Sequence, residues 1–152
     1  MARRTRGTVR GPSAFWDASA LVPLCVHQSL TARVTALYRS YELIVWWATP
    51  VEIASALARM LRVGDISTND HAKARDFAER VAQTWSVMQP SEALRALALQ
   101  LVERYDLRAA DSLQLAAALE WCDALPSARK FFSADTKLQE AALLAGFDAQ
   151  PI

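Results

Sequence analysis

The chain has 152 residues, a length that by default forms one domain with a buried core. Its composition, 53% hydrophobic and 22% charged, excludes a disordered protein. The net charge is +1, and the four arginines within residues 1–10 more than account for it, so the remainder is slightly acidic. This balance excludes a protein that coats nucleic acid by charge alone, which would need a strongly basic domain.

The arginine-rich start predicts a basic, flexible extension over residues 1–13, followed by a single domain over residues 14–152. Arginines ahead of an apolar stretch also resemble a secretion signal, but Asp17 and Pro23 interrupt that stretch. The longest apolar run, residues 43–51, is too short to cross a bilayer. We therefore expect a cytoplasmic protein without a membrane partner.

The cysteines and histidines show no metal-ligand spacing. Cys25 and Cys122 are far apart and form no Cys-x-x-Cys pair, which disfavours a zinc site or a disulfide framework. His27 and His71 likewise lack ligand spacing, and neither lies near an evident nucleophile. The chain also has no glycine-rich phosphate loop.

Apolar patterning over the first half predicts alternating strands and helices. A strand is expected at 15–17, a helix at 19–26, and a strand at 43–47, with a second helix between them marked by the spacing of Leu30, Val34, Leu37 and Tyr38. Thr49, Pro50 and Glu52 are typical of a helix start, as the cap, first position and reciprocal partner of a capping box. That helix is expected to end at Gly64, before a helix at 69–84 and a strand at 85–88.

The second half continues the pattern. Ser91 is expected to cap a helix that runs to 105, and a second, apolar helix at 110–122 is expected to begin at Asp111. A strand at 130–133 precedes a helix that starts at Asp135 and ends at Gly146, and a last strand lies near 147–150. This alternation predicts an α/β domain with a mostly parallel sheet of about five strands.

Ligands of such sheets bind beyond the carboxyl ends of the strands. Asp17 and Asp135 each follow a predicted strand, and Glu52 begins the helix after another, so these three acids should share one edge. Topology alone does not bring Asp111 there, because the helix before it should carry the chain away.

Each acid also has an ordinary explanation as a helix cap or first-turn residue. For Asp17 this explanation is weaker, because a charged cap is unfavourable in its apolar surroundings. Taken together, converging carboxylates repel one another and become stable around a cation. All-oxygen ligands suit Mg²⁺ or Mn²⁺ rather than zinc, and phosphodiester hydrolysis is the natural chemistry of such a site.

Four segments resemble the PIN-domain family, most closely the VapC-type toxins of toxin–antitoxin pairs. "FWDASALVPL" resembles the opening strand with its Asp-x-Ser, "TPVEIASAL" the helix with the Glu, "AADSLQLAAAL" the segment with the third acid, and "FFSADTKLQEAA" the closing strand with the fourth. The match runs in order from about residue 14 to 150. It departs from the family in the arginine-rich extension and in the lack of an obvious basic stripe.

The resemblance implies a PIN-like α/β/α sandwich and a Mg²⁺- or Mn²⁺-dependent endoribonuclease that acts as the toxin of a type II toxin–antitoxin pair. Asp17, Glu52, Asp111 and Asp135 would hold the metal and perform catalysis. Ser19, Ser133 and Thr136 would orient these acids, although each hydroxyl could equally serve a cap or strand end. The implied partners are an RNA substrate, a small cognate antitoxin and a second copy of the chain.

Two alternatives stay open at this point: a PIN-like nuclease of RNA processing without an antitoxin, and a catalytically silent binding module whose acids are caps. Basic residues near the acids in sequence are expected to be solvated, with phosphate contact as the less favoured reading: Arg59, Arg62, Arg108 and Lys137. Large apolar residues are expected mostly in the core, with some at an interface: Trp46, Trp47, Trp85, Trp121, Met60 and Leu61.

Overall fold

The computed structural model describes residues 11–26 and 31–152. The predictions on the arginines of residues 1–10, on His27 and on Leu30 therefore lie outside the described residues. The elements follow one another in the order β1 (Ser13–Trp16), α1 (Ala18–Cys25), α2 (Thr31–Ser40), β2 (Glu42–Trp46), α3 (Thr49–Arg62), α4 (Thr68–Ala82), β3 (Ser86–Met88), α5 (Glu92–Tyr105), α6 (Ala109–Trp121), β4 (Lys130–Phe132), α7 (Thr136–Ala145) and β5 (Asp148–Ala149).

The five strands form one sheet in the order β3-β2-β1-β4-β5, and every pairing among the described residues is parallel. β1 is the central strand, where Phe15 pairs with Ile44 of β2 on one side and with Phe131 of β4 on the other. Parallel strands need crossovers, which the helices supply. The predicted α/β class with a mostly parallel sheet of about five strands is confirmed.

Side-chain alternation along the strands divides the core into two layers. Phe15 and Phe131 face one layer and stack with their ring centroids 5.4 Å apart. Trp16 and Phe132, the next residue of each strand, face the other layer and meet edge to face at 4.7 Å. Both faces of the sheet are therefore covered, which explains why the strands read as continuous apolar runs.

The helices segregate between these layers. Buried residues of α1, α2, α3 and α4 belong to the layer around Trp16, and those of α5, α6 and α7 to the layer around Phe15. The result is the α/β/α sandwich that the resemblance implied. None of the described helices is both long and apolar enough to cross a bilayer.

The predicted start of α3 was wrong in its detail. Ala48, not Thr49, is the N-cap, and no side chain caps the helix. Thr49 is the first residue of α3 and is fully buried, so its hydroxyl is turned inward rather than toward the free amides of the first turn. The capping box with Glu52 therefore does not form, which leaves the Glu52 carboxylate available for another contact.

The predicted start of α6 was also wrong. The helix begins at Ala109 after Arg108 as N-cap, and Asp111 lies within its first turn, so Asp111 is not the cap. The preceding helix does begin at the predicted cap, where Ser91 Oγ accepts a hydrogen bond from the Leu94 amide at 3.0 Å. Asp106 then ends α5 in a left-handed conformation, and α5 and α6 pack against each other across this short turn.

Gly146 ends α7 with φ of 108°, a conformation that favours glycine, and a Cβ there would lie 3.0 Å from Pro126 Cγ. We expect Gly146→Ala to destabilise the protein by about 2 kcal/mol, from the left-handed backbone and the crowding against Pro126. Chemical denaturation measures the loss. Gly64→Ala is the matched control, because Gly64 has φ of 81° but open space around it, and we expect about 1 kcal/mol there. Equal losses would show that the contact with Pro126 contributes nothing.

Candidate functional site

Asp17 follows the central strand directly and is 4% exposed. Its amide donates to Phe132 O at 2.9 Å, which continues the β1–β4 ladder by one more bond. Its Oδ2 accepts hydrogen bonds from Ser133 Oγ at 2.9 Å, from the Ser19 amide at 3.3 Å and from Ser19 Oγ. Burial raises the pKa of Asp17, and the hydrogen bonds from Ser19 and Ser133 oppose that rise.

Ser19 and Ser133 tie the ends of β1 and β4 together. Their Oγ atoms lie 3.1 Å apart; Ser19 Oγ accepts from the Ala134 amide at 2.9 Å, and Ser133 Oγ accepts from the Asp135 amide at 3.0 Å. Gln139 of α7 adds a hydrogen bond from Nε2 to Ser133 O. Both predicted serines thus contact Asp17 itself.

Asp135 lies exposed at the N-terminus of α7, where its Oδ1 accepts from the Leu138 amide at 2.8 Å. The predicted cap at this position is confirmed. Thr136 is the first residue of α7, is also exposed, and among the described residues makes no hydrogen bond to any of the four acids. The structure therefore places Thr136 beside the site, without the contact to the acids that Ser19 and Ser133 make.

Glu52 lies in the first turn of α3 and is partly buried. Gln114 of α6 donates from Nε2 to Glu52 Oε1 at 3.1 Å, the contact that takes the place of the expected capping box. Burial raises the pKa of Glu52 to about 7; the Gln114 hydrogen bond opposes this rise, and the charges of Asp17 and Asp111 add to it. The pKa of Glu52 therefore depends in part on the charges of two acids from other segments of the chain.

Asp111 is half-buried in the first turn of α6. Burial raises its pKa, and the negative charges of Asp135 and Asp17 raise it further, whereas Arg108 and Lys137 lower it. Charge effects of this kind weaken with distance and with screening by salt, so Asp111 is within electrostatic range of both acids. Asp111 thus interacts electrostatically with Asp17, Asp135 and Glu52, whereas topology alone gave no reason to expect it near them.

The four acids are neighbours, but their side chains are not gathered into a closed ligand shell. Within the described ranges, no three His, Cys, Asp or Glu side chains are close enough together to hold a metal ion as they stand. Three acids instead use a carboxylate oxygen within the protein: Asp17 with the serines, Glu52 with Gln114 and Asp135 with the α7 backbone.

Sequence reasoning did not single out Gln114, and it assigned Thr49 only the role of a helix cap. Gln114 is fully buried in α6, and its Nε2 also lies 3.5 Å from Thr49 Oγ1. One signal was available: Gln114 is a polar residue inside the otherwise apolar run 113–119, a place where an amide needs a partner. The identity of that partner depends on how α6 packs on α3, which no spacing along the chain specifies.

The four candidate basic residues divide into two pairs. The positive charges of Arg108 and Lys137 lower the pKa of Asp111, and Lys137 Nζ also contacts Asp106 Oδ2 at 2.8 Å. Arg59 and Arg62 lie in the last turn of α3, about 10 and 15 Å along the helix from Glu52. Of the apolar residues expected mainly in the core, Trp46 and Met60 are buried, whereas Trp47 is 54% exposed.

The fold has relatives among solved structures. A toxin–antitoxin complex from Klebsiella pneumoniae contains a chain with a TM-score of 0.64 at 13% identity, covering 92% of this chain and all of that one. FitAcB from Neisseria gonorrhoeae contains one with a TM-score of 0.60 at 17% identity, covering 90% of this chain and 97% of that one. No family model and no curated protein matches the sequence. At these identities the likeness establishes the fold.

The raised pKa of Glu52 predicts a pH dependence of stability. In metal-free protein, the unfolded chain releases the Glu52 proton near pH 4.5 and the folded chain near pH 7, so stability falls as pH rises across this window. We expect Glu52→Gln to raise the free energy of unfolding at pH 8 by about 1–2 kcal/mol, after allowing for partial exposure to water, and to change nothing at pH 4.

Urea titration of EDTA-treated protein at both pH values measures this difference. Glu140→Gln, at an exposed glutamate of α7, is the control expected to leave both values unchanged. An equal effect of Glu52→Gln at pH 4 and pH 8 would contradict the raised pKa.

Proposed function

We propose that this protein is a metal-dependent endoribonuclease that hydrolyses RNA phosphodiester bonds and acts as the toxin of a type II toxin–antitoxin pair. One observation carries the proposal: Asp17 and Asp135 follow the adjacent parallel strands β1 and β4, and the charges of acids from other segments add to the raised pKa of Glu52 and of Asp111. Such repulsion costs stability unless a cation offsets it. Asp17, Glu52, Asp111 and Asp135 are the proposed metal ligands and catalytic residues.

The donor set fits Mg²⁺ or Mn²⁺. The four side chains offer only carboxylate oxygens, the ligands that hard divalent cations prefer, rather than the thiolates or imidazoles that zinc favours. The half-buried Asp111 and the partly buried Glu52 leave the site open toward solvent on one side. A bound cation would polarise a phosphate and lower the pKa of a water molecule.

Each residue has a distinct role in this proposal. Ser19 and Ser133 hold Asp17 at the end of β1, so this carboxylate has a fixed position. Glu52 has one carboxylate oxygen that is not bonded to Gln114, and this oxygen would take up the proton of the attacking water. Arg108 and Lys137, beside Asp111, would contact the RNA phosphates.

The toxin role and the antitoxin partner rest on the comparison of folds. A solved toxin–antitoxin complex contains a chain of this fold that matches nearly the whole of both chains. The partners that belong to this proposal are RNA, a small cognate antitoxin and a second copy of the chain. A small gene directly upstream that encodes a DNA-binding protein would favour this role over RNA processing without an antitoxin.

A catalytically silent binding module is the second candidate. It is favoured by the absence of a closed ligand shell among the described residues and by the capping bonds of Asp17 and Asp135. In that case the acids are structural, and added metal has no site to occupy.

The proposed activity predicts cleavage of RNA with Mg²⁺ or Mn²⁺ and none with EDTA. We expect Asp17→Ala and Asp111→Ala to reduce the cleavage rate by at least about a hundredfold, because each removes a charge from the set that must hold the cation. Mapping the ends of cleaved total RNA measures both the rate and the preferred sites.

Asp76→Ala is the matched control for cleavage, because it removes an exposed aspartate of α4 that lies outside the site, and we expect wild-type cleavage from it. Circular dichroism checks that all variants fold. Cleavage that persists in EDTA, or in folded Asp17→Ala, would overturn the proposed site.

Metal binding predicts a rise in melting temperature on addition of Mg²⁺ or Mn²⁺, because a ligand of the folded state stabilises it. We expect a rise of several degrees at millimolar Mn²⁺ in the wild type and none in Asp17→Asn. Asp17→Asn keeps the shape of a helix N-cap while removing the charge, so it separates metal binding from capping. A wild-type melting temperature that metal leaves unchanged would instead support the silent module.

A further inference from the structure

Gln114 is a buried amide that joins the helices of two candidate metal ligands. It lies on α6, one turn beyond Asp111, and is fully buried beside the apolar residues Leu115 and Ala116. Its Nε2 donates to Glu52 Oε1 at 3.1 Å, so a single side chain connects the helix that carries Asp111 to the helix that carries Glu52.

The burial of Gln114 has a cost that packing does not explain. Its Oε1 is buried and has no hydrogen-bond partner among the described residues. A leucine or methionine would fill the same space without leaving a polar atom unpaired. The amide therefore contributes something that an apolar side chain of this size lacks, and its one short contact is with Glu52.

Thr49 belongs to the same arrangement. It is the first residue of α3, is fully buried, and its Oγ1 lies 3.5 Å from Gln114 Nε2. Gln114 thus contacts the first turn of α3 at two points, three residues apart. Two contacts fix both the position of that turn against α6 and the direction of the Glu52 side chain.

We propose that Gln114 is a positioning residue that sets Glu52 relative to Asp111 through the Nε2–Oε1 hydrogen bond, and thereby sets the affinity of the site for a divalent cation. The inference rests on the proposed function, since it assumes that both acids bind the metal. Partners that orient metal ligands in this way change metal affinity by about 10- to 100-fold when they are removed.

The test replaces the amide with an apolar side chain of similar length, Gln114→Met. Calorimetric titration of EDTA-treated protein with MnCl₂ measures the Kd, and thermal melting without metal measures the stability. We expect the Kd of Gln114→Met to rise at least about tenfold, with a metal-free melting temperature equal to or above that of the wild type. A residue that only packed the core would give the reverse: a lower melting temperature and an unchanged Kd.

Further variants make the result specific. Ser112→Ala is the matched control, because Ser112 is buried on the same helix but its Oγ donates to Ala109 O within that helix, and we expect wild-type Mn²⁺ affinity. In a Glu52→Ala background, Gln114→Met should weaken binding no further, since the group that it positions is gone. Gln114→Leu replaces Gln114→Met if methionine is not tolerated.

The outcomes separate this inference from the proposed function. In one outcome, the wild type binds Mn²⁺, Asp17→Asn does not bind it, and folded Gln114→Met binds it as tightly as the wild type. That outcome would show that the inference about Gln114 is wrong and that the metal site is right. If the wild type binds no Mn²⁺, both the metal site and the role of Gln114 are wrong.

Discussion

The hydrogen bonds that Ser19 and Ser133 make to the buried Asp17 carboxylate are the contacts on which the rest of this site depends. A carboxylate that is 4% exposed would carry a large desolvation cost without donors. The two hydroxyls come from opposite ends of the chain and meet at the ends of β1 and β4. They fix the central acid and also bring Asp135 beside it, because Asp135 follows Ser133 by two residues and donates its amide to that serine.

The side chains of the other three acids have fewer hydrogen bonds than that of Asp17. Glu52 is held by one hydrogen bond from Gln114, and Asp135 uses one oxygen for its own helix. Asp111 is held by its place on α6 and by the charges around it. The result is an open cluster, in which repulsion at Glu52 and Asp111 adds to the cost of burying these carboxylates and works against the stability of the fold. A bound cation would offset that repulsion. The pH dependence of stability has a different main cause, which is the burial of Glu52.

The sequence predicted most of the fold, because its signals were local. Continuous apolar strands, Ser91 and Asp135 as caps, and Gly146 as a helix end all depend on a few neighbouring residues. The start of α3 could not be predicted in this way. The pattern of Thr49, Pro50 and Glu52 is typical of a capping box. In the structure, however, the Thr49 hydroxyl is buried and the Glu52 carboxylate accepts from Gln114, so these two side chains make tertiary contacts in place of the cap.

The residues of the candidate site likewise differ in whether the sequence could predict their positions. Asp17, Glu52 and Asp135 were expected at one edge because parallel strands share a direction. The position of Asp111 depends on the α5–α6 turn at Asp106, and its approach to the other acids had only the family resemblance to support it. Gln114 could be suspected as an odd polar residue, but its partner lies 62 residues earlier in the chain.

The central position of β1 also has a consequence for synthesis of the protein. Asp17 is among the first residues of the domain to be made, yet its Ser133 donor lies 116 residues later. A chain still growing on the ribosome therefore has Asp17 without the strand and the hydroxyl that hold it. The site is completed only when β4 has emerged and paired with β1, so a nascent chain carries no assembled site until its C-terminal segment is free to fold.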